Sequence, residues 1–208
     1  MQRSRVLNLK SFNRVIAFIS NNRIILILTV CFCFGFIFGI VNYSFDSDSY
    51  FNEYITEFVS FRRSSSFIKI FIDSALESIS FVFVLYALGA SIFGMLTSPI
   101  LVILRAYFLG SIASLLYNQF SLKGVAFYAV LILPSAIFST LCVLLAAENS
   151  VKFSCLLARL TIVEGNTEYI PTTFKRFSLK YLSYLIYIFV SALLDALISG
   201  NFLNKFIL

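Results

Sequence analysis

Ser98-Pro-Ile-Leu-Val-Ile-Leu-Arg105-Ala-Tyr-Phe-Leu-Gly110-Ser-Ile-Ala-Ser114 sets an arginine inside an apolar run, with Ala106, Gly110 and Ser114 four residues apart behind it. An arginine at the centre of a bilayer costs about 2.5–3.5 kcal/mol on insertion scales, so it is tolerated where protein, water or a carboxylate receives it. Arg105 is therefore expected to face inward. Small residues at four-residue spacing let neighbouring backbones approach closely, the usual device of helix packing in lipid. This helix is expected in the middle of a bundle.

The rest of the chain fits that reading. Apolar residues make up 60% and charged residues 12% of the 208, too greasy a balance for a soluble domain of this size. The expected class is all-α: a polytopic membrane helical bundle of about five transmembrane helices, preceded by an amphipathic N-terminal helix. The formal charge of +6 is scattered between apolar runs and forms no basic stripe, which argues against nucleic acid as a partner. Cys31, Cys33 and Cys142 lie among apolar neighbours, and residues two apart on a helix point about 200° apart, so Cys31 and Cys33 make no shared metal face. Cys155 lies in a polar segment, and no disulfide framework is implied.

Upstream of the opening stretch, 78–97 reads as a second span with Ala90 and Gly94 as another small-residue face, and Ser98-Pro99 as the start of a third span over 99–117. Residues 118–124 form a short polar turn, and 125–147 a fourth span that Pro134 interrupts and kinks. The polar segment 148–180 leads to a fifth span, 181–200, in which Ala192, Ala196 and Gly200 repeat the four-residue spacing around Asp195. Arg105 and Asp195 are the ionisable residues placed well inside these spans, and they have opposite sign. On these boundaries they differ in depth by roughly 10–15 Å at 1.5 Å per residue, so a direct pair needs tilt, snorkelling or a water-filled gap. The alternatives left open are Arg105 snorkelling to headgroups or binding carbonyls freed at Pro134, and Asp195 reaching the outer surface or held protonated by a neighbour.

The first span, 24–43, carries Gly35-Phe-Ile-Phe-Gly39, a face for its own bundle or for a second copy in a homo-oligomer. Before it, residues 1–23 hold five basic residues and no acid. Leu9, Phe12, Val15, Ile16 and Ile19 fall on one helical face, so this segment reads either as an amphipathic helix on anionic headgroups of the bilayer or as a disordered basic leader. No small-x-small cleavage site follows, and an uncleaved signal anchor is expected. Residues 44–77 read as a helical hairpin holding six acids; Phe51, Tyr54, Ile55 and Phe58 line one face, set to lie on headgroups or to meet a partner. From the first span to the end, 24–208, the chain is expected to be a single membrane domain.

Five spans put the termini on opposite sides. With the amino terminus inside, the inner segments carry ten Lys and Arg, five in 1–23 and five in the loop 148–180, against five in the outer ones. The positive-inside bias then predicts a multi-pass cell-membrane protein with a cytoplasmic amino terminus, an extracytoplasmic carboxyl terminus and an extracytoplasmic hairpin 44–77. Histidine is absent, which removes serine–histidine and histidine–metal chemistry, and no phosphate-loop, C-x-x-C or H-E-x-x-H motif occurs. The expectation is a protein without catalytic residues, bound metal or cofactor.

Several of these pieces together resemble the stage II sporulation protein M family of endospore-forming bacteria. They are Phe34-Gly-Phe-Ile-Phe-Gly39, Leu88-Gly-Ala-Ser-Ile-Phe-Gly94 leading to Leu104-Arg-Ala-Tyr-Phe-Leu-Gly110, Leu133-Pro134, Phe153 to Pro171, Tyr181 to Tyr184, and the acid within Ser191 to Ser199. Broader relatives carry His-Gly and an acid just after the fourth-span proline; here Ser135-Ala136-Ile137 stands there, which fits the sporulation branch. The resemblance implies a scaffold of the engulfment complex at the sporulation septum, anchoring two peptidoglycan-degrading partners, stage II sporulation proteins D and P. The alternative from another class is the membrane subunit of a transporter of the ABC-permease kind, for which polar bundle residues and a proline-broken helix would form a substrate path.

Overall fold

Runs of Leu, Ile, Val and Phe interrupted by few helix breakers leave the backbone one good way to satisfy its own N–H and C=O groups, the helix. In the computed structural model the described residues are 22–45, 60, 66–161 and 170–202, and they are almost wholly helical, with no strand among them. Five elements carry the architecture: α1 (Arg23–Phe45), α2 (Phe67–Gly89), α3 (Gly94–Phe127), α4 (Leu133–Arg159) and α5 (Ile170–Phe202), with a π-helical turn, Tyr128–Ile132, between α3 and α4. Residues 1–21 of the expected amphipathic segment, and the expected partner face Phe51, Tyr54, Ile55 and Phe58, lie outside the described residues.

Among the described residues, three stretches are long and apolar enough to cross a membrane: Arg23–Asn42, Gly94–Arg159 and Thr172–Ser199. The middle one, at 66 residues, is two rods. Ser121 has φ 52° and ψ −133°, a non-helical conformation that folds the chain back on itself inside the polar turn expected over 118–124. Contacts across the fold pair Ser98 with Ser150, Arg105 with Ser139 and Tyr128 with Leu109, an antiparallel register converging on Ser121. Gly124 lets the returning strand of backbone pass the Leu116 carbonyl, which a side chain at that position would strike.

Element boundaries shift in ways that matter for depth. α2 runs unbroken from Phe67 to Gly89, so residues 67–77, the second segment of the expected helical hairpin, are continuous with the second span. Ala90 and Gly94, expected on one helical face of the second span, are instead separated by a reversal: Ala90 caps α2 and begins the four-residue turn 90–93, and Gly94 opens α3. Such a short turn works because Ser154 on α4 services it: its hydroxyl lies 2.8 Å from the Ser91 and Ile92 carbonyls and accepts the Met95 N–H at 3.0 Å. Pro99 therefore falls inside α3 and does not start it. The turn before it is held by hydroxyls, Thr97 to the Phe93 carbonyl and Ser98 to the Gly94 carbonyl at 2.6 Å. Much of the expected loop 148–180 is also helix, since α4 runs to Arg159 and α5 begins at Ile170.

Pro134 sits at the start of α4, directly after the π turn. The ring removes one N–H and crowds the preceding turn. The chain absorbs this by widening to π geometry, a common form of interruption inside helices. The Ser135 hydroxyl then lies 3.0 Å from the Ile132 carbonyl oxygen. The core has two parts. The larger joins Leu28, Val82, Leu85, Val102, Val143 and Ile188 with an aromatic stack in which Phe153 and Phe177 lie 4.3 Å apart. The smaller gathers Leu116, Phe127, Tyr128, Leu131 and Ile132 near the Ser121 fold. All four cysteines are free; Cys142 is buried and reaches the Tyr184 carbonyl.

Candidate functional site: polar ties across four helices

The small-residue stripes meet one another. A Cβ built on Gly35 would stand 2.5 Å from the Ile103 carbonyl oxygen and 3.1 Å from the Ala106 Cβ. One on Gly39 would strike the Tyr107 carbonyl, and one on Gly110 the Phe36 carbonyl. The G-x-x-x-G face of α1 is thus occupied by α3 of the same chain, whose own Ala106 and Gly110 supply the other half of the contact. Ser111 donates to the Tyr107 carbonyl at 2.9 Å, and Ser114 is buried on the same helix.

This close packing fixes α3 so that Arg105, eleven residues beyond Gly94, lies roughly 16 Å along the rod. Its side chain is 5% exposed. Nη1 donates to Glu77 Oε1 of α2, Nη2 lies 3.4 Å from Ser139 Oγ of α4, and the guanidinium sits 5.0 Å from the centroid of the Phe81 ring. Among the described residues, buried Nε has no hydrogen-bond partner. Glu77 and Phe81 are four residues apart on α2 and so share a face, one giving charge and the other a π surface to the same cation.

Asp195, fully buried, accepts the Ser135 hydroxyl at 3.1 Å, and Ser191 donates to the Ser135 carbonyl at 2.9 Å. Ser135 and Ser139 are one turn apart on α4, about 6 Å. The depth gap of 10–15 Å expected between Arg105 and Asp195 therefore closes to about one helical turn. The expected gap rests on Pro99 as the start of the third helix, which begins five residues earlier at Gly94. Ala192 and Ala196 are buried beside Asp195 and admit α5 to this contact; the surroundings of Gly200 lie outside the described residues.

Sequence reasoning singled out Arg105 and Asp195 but missed Glu77, Ser135 and Ser139. Glu77 had been assigned to a polar extracytoplasmic segment. The signal for it was the i, i+4 pair Glu77 and Phe81 running into an apolar helix. For the serines, the signal was their one-turn spacing after Pro134.

Chemically, the arrangement is a chain of polar ties across four helices: α2 to α3 by charge, α3 to α4 through Ser139, and α4 to α5 through Ser135. Among the described residues no three His, Cys, Asp or Glu lie together as a metal site. A greasy cleft beside it, about 320 Å³, is lined by Phe32, Phe36, Leu109, Tyr128, Ile137 and Leu141 among others. Comparison with curated proteins finds no match, and comparison with solved structures finds none either. The sequence model of stage II sporulation protein M matches residues 28–200, which include Glu77, Arg105, Ser139 and Asp195. With its packed glycines, its polar ties and its apolar rods inside that match, the chain belongs to the stage II sporulation protein M family and is a sporulation-related membrane protein.

Proposed function

We propose that this chain is a non-enzymatic membrane scaffold of the engulfment complex, holding peptidoglycan-degrading proteins at the septal membrane. Beyond the family, the observation that carries the reading is where the polar side chains go. Arg105 and Asp195, the two charged residues in the buried set, tie helices to one another. A side chain that serves as a brace makes a rigid platform, and a platform is what an anchoring protein needs.

In this reading the chain crosses the membrane five times, amino terminus in. Lys69, Asp73 and Glu77 all lie in the first half of α2. The Glu77–Arg105 pair is what makes its insertion affordable, because an acid and a base placed in the bilayer together cost less than either alone. The outer hairpin, with Phe51, Tyr54, Ile55 and Phe58, would be the surface offered to partners, which the resemblance names as stage II sporulation proteins D and P. Deletion of the gene in the endospore-forming source, followed by membrane-dye microscopy, is expected to leave septa that form but do not migrate around the forespore. Normal engulfment in the deletion strain would contradict the proposal.

A further inference from the structure

Away from the Arg105 ties, α2 and α5 part to leave a cleft of about 290 Å³. Ile79, Phe83, Leu182 and Leu185 line its apolar length. At one end stand Tyr86 and Ser178, their hydroxyl oxygens 3.0 Å apart. A second depression shares Ser178 and Leu182 with the first and carries Lys175. The two form one gutter along α5 that runs from hydrocarbon through a pair of hydroxyls to a cation. From Ser178 to Leu185 it covers roughly 10 Å of helix.

That order of surfaces is the order of groups in a glycerophospholipid: acyl chain, glycerol esters, phosphodiester. We propose that the gutter binds one anionic phospholipid, its phosphate on Lys175 and one acyl chain between Phe83 and Leu182. Two hydroxyls that share one hydrogen bond still have one O–H to donate, so the Tyr86 and Ser178 pair offers a donor to an ester or phosphate oxygen while remaining bonded to each other. Lys175 is exposed, and among the described residues no carboxylate bonds it. The neighbouring cations are engaged elsewhere: Lys152 pairs with Glu148 at 2.7 Å, and Lys180 donates to the Asn149 side-chain oxygen at 3.3 Å. Arg176 is exposed on the same helix but does not line the gutter. A basic group at the end of a greasy slot between membrane helices is the kind of site that selects a lipid by headgroup charge.

Native mass spectrometry of the purified full-length chain in detergent, titrated with phosphatidylglycerol or phosphatidylcholine of matched chain length, tests this. The expected result is one retained phosphatidylglycerol per chain, about tenfold preferred over phosphatidylcholine. Lys175→Gln, an exposed change that leaves the fold alone, should cut that preference about fivefold, the effect of one basic residue near an anionic surface. Arg176→Gln should change it less than twofold, roughly, because it removes the same charge outside the gutter. Leu182→Trp should fill the slot and lower retention of both lipids. Equal retention of the two lipids by the unaltered chain, or equal losses from Lys175→Gln and Arg176→Gln, would overturn the proposal.

Discussion

Replacing Gly110 by leucine is expected to detach α1 from α3 and lower the stability of the detergent-solubilised chain by about 3 kcal/mol or more, at the upper end of what an overpacked contact costs. The added Cβ alone would meet the Phe36 carbonyl oxygen, stand 3.1 Å from that carbonyl carbon and lie 3.2 Å from the Ile40 nitrogen. Those are backbone atoms of a helix, so no rotamer change makes room, and the two rods must move apart. Moving apart also forfeits the matching contacts at Gly35 and Gly39, two turns of which stack on α3. In lipid this loss weighs heavily, because association there rests on close packing and not on expulsion of water. Arg105→Lys keeps the charge and should cost less. Ile37→Leu, on the exposed side of α1, should stay within roughly 0.5 kcal/mol. Unfolding midpoints in a denaturing-detergent titration check the ranking; equal midpoints for Gly110→Leu and Ile37→Leu would mean that α1 does not rest on α3.

Glu77→Leu is expected to cost about 2–3 kcal/mol, less than the 3–5 typical of breaking a fully buried pair because the Glu77 side chain is 51% exposed. The loss comes from what stays behind. Arg105 would keep one long contact to Ser139 and the Phe81 ring, with Nε already unpartnered. Arg105→Leu removes the charge that needs solvating and is expected to be milder. The double variant, Glu77→Leu with Arg105→Leu, should recover most of the loss, since two apolar side chains of similar size can replace an ion pair at little cost. A double-mutant cycle on the same unfolding assay measures this coupling, and additive single effects would show that the pair does not brace α2 against α3.

The residues that were easiest to read were those whose effect is local. Gly35, Gly39, Ala106 and Gly110 declare a close-packing face by spacing alone, and that face is where α1 and α3 touch. Asn118 to Gly124 announces a reversal by polarity, and Ser121 makes it. Boundaries set by long-range partners were hidden. Lys69, Asp73 and Glu77 make Phe67–Glu77 look like surface, and the arginine arriving from α3 turns Glu77 into a bundle residue. Pro99 looks like a helix start because prolines favour first turns. Here Ser154, some 60 residues away in sequence, supports the reversal and lets α3 begin at Gly94. Pro134 is expected to kink its helix; it stands in the first turn of α4 directly after the π turn, and Ser135 and Ser139 beyond it receive Asp195 and Arg105. The spacing of those two serines was visible; which side chains would reach them was not.

The central claim, that this membrane bundle is an anchor for wall-degrading proteins, is tested most directly by affinity purification of the full-length chain from solubilised membranes of sporulating cells, with the bound proteins identified by mass spectrometry. The account predicts that stage II sporulation proteins D and P are enriched, and that acidic substitutions at Phe51, Tyr54, Ile55 and Phe58 abolish their recovery while the chain itself remains folded. Recovery of neither protein with the unaltered chain, or recovery of a cytoplasmic ATPase subunit in their place, would contradict it.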